Sequence, residues 1–312
     1  MTDLVVGPAP WWLRGAASLV RTLPRGRYRA AQIISTRMRR PFWTTLPSDL
    51  GGTQFQCDLD DALMRDAFFI GRYEPQETRV LQHLLHPGMT MLDVGANWGY
   101  FTLVGAFLVG QAGRVIAIEA DPPAVATLRR NVERNRLAQV TVLGIAASDE
   151  PGELAFEPYE RHDRRRFGNF GVERVADGEE TATAIRVAAR PLDDVLDEAG
   201  IDRVDVIKMD IEGGEAAGLR GLARRLASGR VDRIVLELHP AALHKLGTSM
   251  DAVIAMLRGF GYEGWAIDHS FSANRHAANG NSSVTSLLRP LDAVHDLGDW
   301  PHVVWLRAGL AW

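Results

Sequence analysis

Leu92-Asp93-Val94-Gly95-Ala96-Asn97-Trp98-Gly99-Tyr100-Phe101-Thr102-Leu103 is the stretch on which the fold turns. It opens as an apolar run of strand length, passes through a turn bounded by two glycines, and continues into a helix. Gly95 allows a sharp turn and close approach of a ligand to the backbone, and Gly99 allows tight packing where the helix begins. Working outward, strands are expected at 90–94, 114–119, 140–146, 204–209, 234–238, 262–267 and 302–307, the last closing an edge. Helices follow at 100–109 and from Asp121-Pro122-Pro123 to near Asn135, with proline favoured at the early helical positions. Such alternation predicts an α/β fold with a doubly wound, mostly parallel seven-stranded sheet covered by helices on both faces.

Before this core, residues 1–70 read as an N-terminal accessory region. One or two helices span 11–40, broken around Pro24 and Gly26; a turn follows at 41–52 and a short strand at 53–57. A helix over 75–85 stops at His86-Pro87-Gly88. Residues 71–312 then form the main domain, with a hairpin insertion at 151–190 and a lid-like loop at 268–300. No internal repeat is evident.

The chain has 312 residues, 46% hydrophobic and 24% charged, which is ordinary for a globular protein. Its one cysteine, Cys57, excludes an intramolecular disulfide and a multi-cysteine zinc site, so a reducing, cytoplasmic setting is expected. The start lacks the basic, apolar and small-residue order of a secretion signal, and the apolar runs fall short of the roughly 18 residues of a membrane span. The net charge of −4 hides Arg14, Arg21, Arg25, Arg27, Arg29, Arg37, Arg39 and Arg40, opposed before Asp49 only by Asp3. This arm could meet an anionic surface, but exposed arginines are common on helices. With Trp11, Trp12 and Phe42 too sparse to interleave with it, no nucleic acid is expected. A homo-oligomer is left open.

Glu119 ends the second strand 20 residues beyond Gly99, where a carboxylate can accept hydrogen bonds from both hydroxyls of a ribose. The turn lacks the full GxGxxG spacing that cradles a pyrophosphate, and Asp93 precedes it. A carboxylate there repels pyrophosphate and attracts the ammonium and sulfonium charges of S-adenosylmethionine. A nicotinamide oxidoreductase would have to tolerate that acid. The cofactor site is therefore expected to comprise Asp93, Gly95, Ala96, Asn97, Gly99, Tyr100, Glu119 and Ala120, with Asp149 near the adenine amino group. Helix capping by Asp93 and Asn97, and turn chemistry at Asp149, are the competing structural explanations.

Together with residues downstream, these motifs resemble the FkbM family of methyltransferases. The resemblance begins at Gly71-Arg72-Tyr73-Glu74-Pro75 and runs through Asp93 to Tyr100, Ile118-Glu119-Ala120-Asp121-Pro122, Asn131 and Asn135. It continues over Ile207-Lys208-Met209-Asp210-Ile211-Glu212-Gly213-Gly214-Glu215 and ends near Glu237-Leu238-His239-Pro240. It covers roughly 68–240, and Ala120 departs from the family's frequent glutamate. It implies the class I methyltransferase (Rossmann-like) fold, S-adenosylmethionine as cofactor, and usually O-methylation of a sugar, polyketide or other natural product.

Methyl transfer is an in-line displacement at a sulfonium carbon, accelerated by alignment and by removal of the acceptor's proton. Asp210, at the carboxyl end of the fourth strand, is the favoured general base, with Glu212 and Glu215 entering the next helix. Lys208 shares Asp210's face of the strand and either sets its charge or forms a structural ion pair with Glu237. His239 is an alternative base or a structural residue. Asp210, Glu237 and His239 together are candidates to hold Mg²⁺. The insertion tip, Arg164-Arg165-Arg166-Phe167-Gly168-Asn169-Phe170-Gly171, either covers an anionic acceptor or is a solvated loop. The expected partner is a small hydroxylated acceptor. N-methylation, the oxidoreductase, and a non-catalytic binding protein recruited by its basic arm remain the alternatives.

Overall fold

In the computed structural model, which describes residues 6–38, 40–158, 172–175, 181–278, 283–294 and 296–312, eight strands form the central sheet. They are β1 (Thr90–Val94), β2 (Arg114–Glu119), β3 (Val140–Gly144), β4 (Val204–Met209), β5 (Val231–Glu237), β6 (Tyr262–Ile267), β7 (Leu288–Pro290) and β8 (His302–Arg307). Across the sheet the order is β3-β2-β1-β4-β5-β8-β6-β7. β1 to β5 run parallel, and β8 lies antiparallel to both β5 and β6. The chain thus starts at the centre, winds outward to β3, and returns through β4. That reversal between β1 and β4 opens a crevice at the carboxyl ends of the strands.

All seven expected strands are present, with three corrections. β8 does not close the edge but inserts between β5 and β6, as its almost continuously buried sequence suits. The edge belongs to an eighth, short strand, β7, where the missing N–H of Pro290 costs little. β3 ends at Gly144 rather than residue 146, because Ala146–Ser148 leaves for a second, four-stranded sheet with Gly152–Pro158, Val172–Arg174 and Ile185–Pro191. The last three strands pair antiparallel, so the inserted hairpin is observed at its base. Its tip, Arg161 to Gly171, lies outside the described residues.

Residues 268–300, expected as a loop, hold a helix at Phe271–Ala278, two short 3-10 turns and β7. The helix buries only Ala273 and Ala277, against Leu287, so it shows little apolar periodicity in sequence. Asn274 reaches across to Gln76 on the helix Pro75–Leu84 at 3.4 Å.

In the N-terminal region the two expected helices are Trp11–Thr22 and Arg27–Ser35. The strand at Gln54–Cys57 gains a partner, Phe42–Thr45, where only a turn is expected. A helix at Ala62–Phe69, absent from the sequence reading, is capped by Asp61, whose side chain accepts the Met64 N–H. One continuous core joins Leu13, Phe42, Phe55 and Phe68 to Leu81, Met91 and Val304, so this region covers one face of the sheet. A second core, including Leu92, Ile207, Leu219, Leu236 and Val253, fills the other. No helix among the described residues is long and apolar enough to cross a membrane.

Candidate active site

The turn after β1 is tied to both neighbouring strands. Gly95 and Ala96 donate to the Ile118 carbonyl at 2.9 and 3.0 Å, and Asp210 donates to the Val94 carbonyl at 2.9 Å. Gly95 has φ +81°, and a Cβ built on it would lie 1.7 Å from the Asp210 carbonyl oxygen. No side chain fits where the turn and the end of β4 cross. Beside it, Glu119 accepts the Asn97 N–H at 2.6 Å and the Asp121 N–H at 2.7 Å, one on each oxygen. Burial pushes its carboxyl up to about 7 against those two donors. Each oxygen keeps a lone pair for a further donor.

A cavity opens here, with Gly95, Ala96, Asn97, Glu119, Ala120 and Asp121 on one wall and Ile145, Ala146, Ala147, Leu154 and Phe156 as an apolar slot opposite. It reaches Tyr73, Tyr100, Lys208, Asp210 and Glu212 at its far end. A slot for a flat ring, a carboxylate for ribose and acids for positive charge fit S-adenosylmethionine.

The far end is a buried polar cluster. Lys208, 2% exposed, lies 3.8 Å from Asp210 and 3.9 Å from Glu237, with Nζ 5.2 Å over the Phe101 ring. Burial alone would lower its pKa, but Asp210, Glu74 and Glu237 outweigh burial, and it stays charged. Burial would likewise raise Asp210, but Lys208 and His239 hold its carboxyl below the ordinary range. Burial and the facing Asp210 push the Glu237 carboxyl well above its ordinary range. Lys208 thus stands between the two carboxyls that its alternative roles invoke.

His239 donates through Nδ1 to the fully buried Glu215 at 2.8 Å, while Nε2 faces Glu212, Glu237 and Asp210 at 3.4, 3.6 and 3.8 Å. Burial would lower its pKa, but Glu215 and Asp210 lift it to about 9. Glu215 also accepts the Gly213 N–H at 3.0 Å, which fixes the ring's orientation. The donors of Asp210, Glu237 and His239 converge within 4.8 Å. Lys208 already supplies the positive charge there, and Mg²⁺ prefers oxygen ligands in octahedral order. The donor set does not fit that ion.

Of the expected cofactor residues, Gly95, Ala96, Asn97, Tyr100, Glu119 and Ala120 line the cavity. Gly99 instead packs the helix, since a Cβ there would meet Leu128 at 2.4 Å. Asp93 lies behind the turn rather than on the wall: it is 1% exposed and accepts the Thr102 hydroxyl at 2.5 Å. Burial lifts its carboxyl to about 6 against Thr102 and Lys208, its register partner on β4. Asp149 pairs with Arg220 at 2.7 Å, outside the residues that line the cavity. The strand it follows, Ala146–Ser148, belongs to the second sheet.

Several residues without an expected role join the cluster. Glu74 and Tyr73 arrive because the turn at Gly71 (φ +88°) and Glu74 (φ +39°) folds the chain back before the helix. Glu77 on that helix meets His269, just after β6, and His302, at the start of β8. His302 pairs directly with Glu237 across the β5/β8 ladder. Nothing in local spacing announces them; only the position of β8 brings them together. Asn131 and Asn135 also gain a role, accepting the Gln56 and Gln54 N–H groups at 2.8 and 2.7 Å and so pinning the N-terminal hairpin, whose Phe55 stacks on Trp98 at 4.9 Å.

The sheet order with its reversed β8, the glycine turn after β1 and the acid ending β2 define a class I, S-adenosylmethionine-dependent methyltransferase fold. The family description Methyltransferase FkbM domain matches residues 93–263, more than half of the chain. The chain belongs to the FkbM methyltransferase family. It is 31% identical over 200 residues, 57% of this chain and 74% of the relative, to 31-O-demethyl-FK506 methyltransferase FkbM of Streptomyces tacrolimicus. It is also 31% identical over 212 residues to the AMB antimetabolite synthetase AmbE of Pseudomonas aeruginosa, covering 58% of this chain but only 10% of that much longer protein. Among solved structures, an rRNA methylase from Streptococcus thermophilus overlays with a TM-score of 0.40 at 10% identity, over 74% of this chain and 93% of that one. That likeness is too loose to add to the strand order.

Proposed function

We propose that the protein transfers a methyl group from S-adenosylmethionine to a hydroxyl of a small molecule, with Asp210 as general base. The observation that carries this reading is one cavity lined at one end by Glu119 and at the other by Lys208 and Asp210. The Streptomyces relative, whose name records a 31-O position of FK506, supports oxygen as the attacking atom and a natural product as the acceptor class.

The bound cofactor supplies the methyl group on a positively charged sulfur. Glu119 holds the ribose end, and the apolar slot at Ile145 to Ala147 and Phe156 excludes water from the ring. Burial would raise Asp210, but Lys208 and His239 hold it below the ordinary carboxylate range where it faces the cavity. Lys208 makes Asp210 a weak base, so the hydroxyl proton moves to it only as the oxygen–methyl bond forms and the carbon–sulfur bond breaks. Glu215 and Glu212 hold His239, whose positive charge faces Asp210 and keeps it ionised between turnovers.

The test is incubation with isotopically labelled S-adenosylmethionine and a panel of hydroxylated sugars, macrolides and other polyketides. Labelled methyl ether in at least one product, lost in Asp210→Asn, is the expected result. Label on nitrogen, or full activity in the variant, overturns the reading.

A further inference from the structure

Beside the site just described, Glu77, His269 and His302 form a second cluster that methyl transfer does not use. Glu77 is completely buried, yet neither of its carboxylate oxygens has a hydrogen bond of acceptable geometry, and the same holds for Nδ1 of His302. Even so, Nε2 of His269 lies 2.6 Å and Nδ1 of His302 3.0 Å from one oxygen, Oε1. Both nitrogens crowd this one oxygen, while Oε2 has no partner among the described residues.

We propose that Glu77, His269 and His302 bind a divalent transition-metal ion of the zinc or manganese class. Bonds of about 2.0–2.2 Å to a shared ion place neighbouring donor atoms about 2.8–3.5 Å apart, the range in which the 3.0 Å contact falls and which the 2.6 Å contact approaches. All three donors lie within 4.8 Å of one another. Two imidazoles and one carboxylate are a ligand set for such ions and a poor one for Mg²⁺. The outer partner is also present: with Nδ1 of His302 on the metal, its Nε2 faces Glu237 at 3.5 Å, the carboxylate–imidazole arrangement that fixes a ligand's tautomer. The rings of His269 and His302 stack at 4.2 Å, and His269, 38% exposed, has room to turn into the coordination sphere.

Charge points the same way. Glu74, Glu77, Asp210, Glu212, Glu215 and Glu237 crowd one end of the sheet around the ammonium of Lys208 and the imidazoles of His239, His269 and His302. Lys208 sits between Asp210 and Glu237 and leaves the Glu77 side to the imidazoles. A bound ion there ties three separate elements together: the helix Pro75–Leu84, the first residue of β8 and the segment leaving β6. It would anchor 268–300 to the sheet beside the acceptor end of the cavity.

The experiment titrates chelator-treated full-length protein with Zn²⁺, Mn²⁺ and Mg²⁺ in a calorimeter, with metal content checked by mass spectrometry. One Zn²⁺ or Mn²⁺ per chain is expected, with Mg²⁺ far weaker. Glu77→Gln and His302→Ala should weaken binding by more than ~100-fold, beyond the loss usual for an outer partner. Because those positions are buried, His269→Ala is the companion variant at a partly exposed position, with circular dichroism confirming its fold. His239→Gln should keep the ion. Substoichiometric zinc in the wild type, unchanged binding in His269→Ala, or loss in His239→Gln with retention in His302→Ala would each overturn the proposal. The first would leave the triad as a buried imidazole–carboxylate ion pair.

Discussion

The two ends of the cavity are built on different principles. At the cofactor end, backbone does the holding: both oxygens of Glu119 accept main-chain N–H groups, and Gly95 crosses β4 with no room for a side chain. At the acceptor end, side chains hold side chains: Lys208, Asp210, Glu237, Glu215 and His239 balance one another's charge in a buried setting. Backbone geometry is shared by any chain that makes the turn, so the first end is rigid and generic. A charge cluster depends on every member's identity, so the second is where specificity and chemistry can vary.

The strongest way to break that contrast is Asp210→Asn. It should lower kcat by ~100- to 10,000-fold, the usual contribution of a positioned base, while calorimetry shows unchanged affinity for S-adenosylhomocysteine. Equal loss of both would merge the two ends. Next, Gly95→Ala strains a residue at φ +81° and drives a Cβ into the Asp210 carbonyl. Urea denaturation should show a loss of ~2–5 kcal/mol, whereas a neutral result would mean the crossing has slack. Glu119→Ala should weaken S-adenosylhomocysteine roughly 10- to 100-fold, the worth of one or two hydrogen bonds to a charged group, and leave the methyl-transfer step alone in single-turnover measurements.

A pH titration of stability addresses the acceptor end by itself. The pKa of His239 is raised to about 9 from its ordinary 6.5, so its stabilisation is complete below pH 6.5 and disappears as pH rises through 9. Unfolding free energy should therefore fall across that window in the wild type and fall less in His239→Gln; parallel curves would remove His239 from the charge balance. The smallest effect is expected for Asp149→Ala. Its pair with Arg220 is solvent-exposed, with 49% of the Arg220 side chain accessible, and such pairs contribute ~0–1 kcal/mol. S-adenosylhomocysteine affinity should change less than about twofold, and a larger loss would restore Asp149 to the adenine site.

What could be read in the sequence tracks this contrast. The Leu92–Leu103 stretch and Glu119 are legible because strand, glycine turn and helix are local patterns, and the backbone they dictate makes the cofactor end. Asp210 is legible as a carboxylate at a strand's end, and Lys208 as a charge on its face. Asp93 has the motif position of a lining acid, while its side chain accepts from Thr102, a contact the motif does not announce. Asp149 follows a strand that leaves the central sheet after Gly144, a change no local signal marks.

The sequence by itself determined the alternation of strands and helices, the glycine turn after β1, and the family to which those motifs belong. Only the tertiary structure decided that β8 lies between β5 and β6, and with it that His302 stands opposite Glu237 and beside Glu77 and His269. Local backbone preference acts over a few residues and is written in neighbouring letters. The pairing of strands more than sixty residues apart is decided by which faces can be buried together, and that is a property of the folded whole.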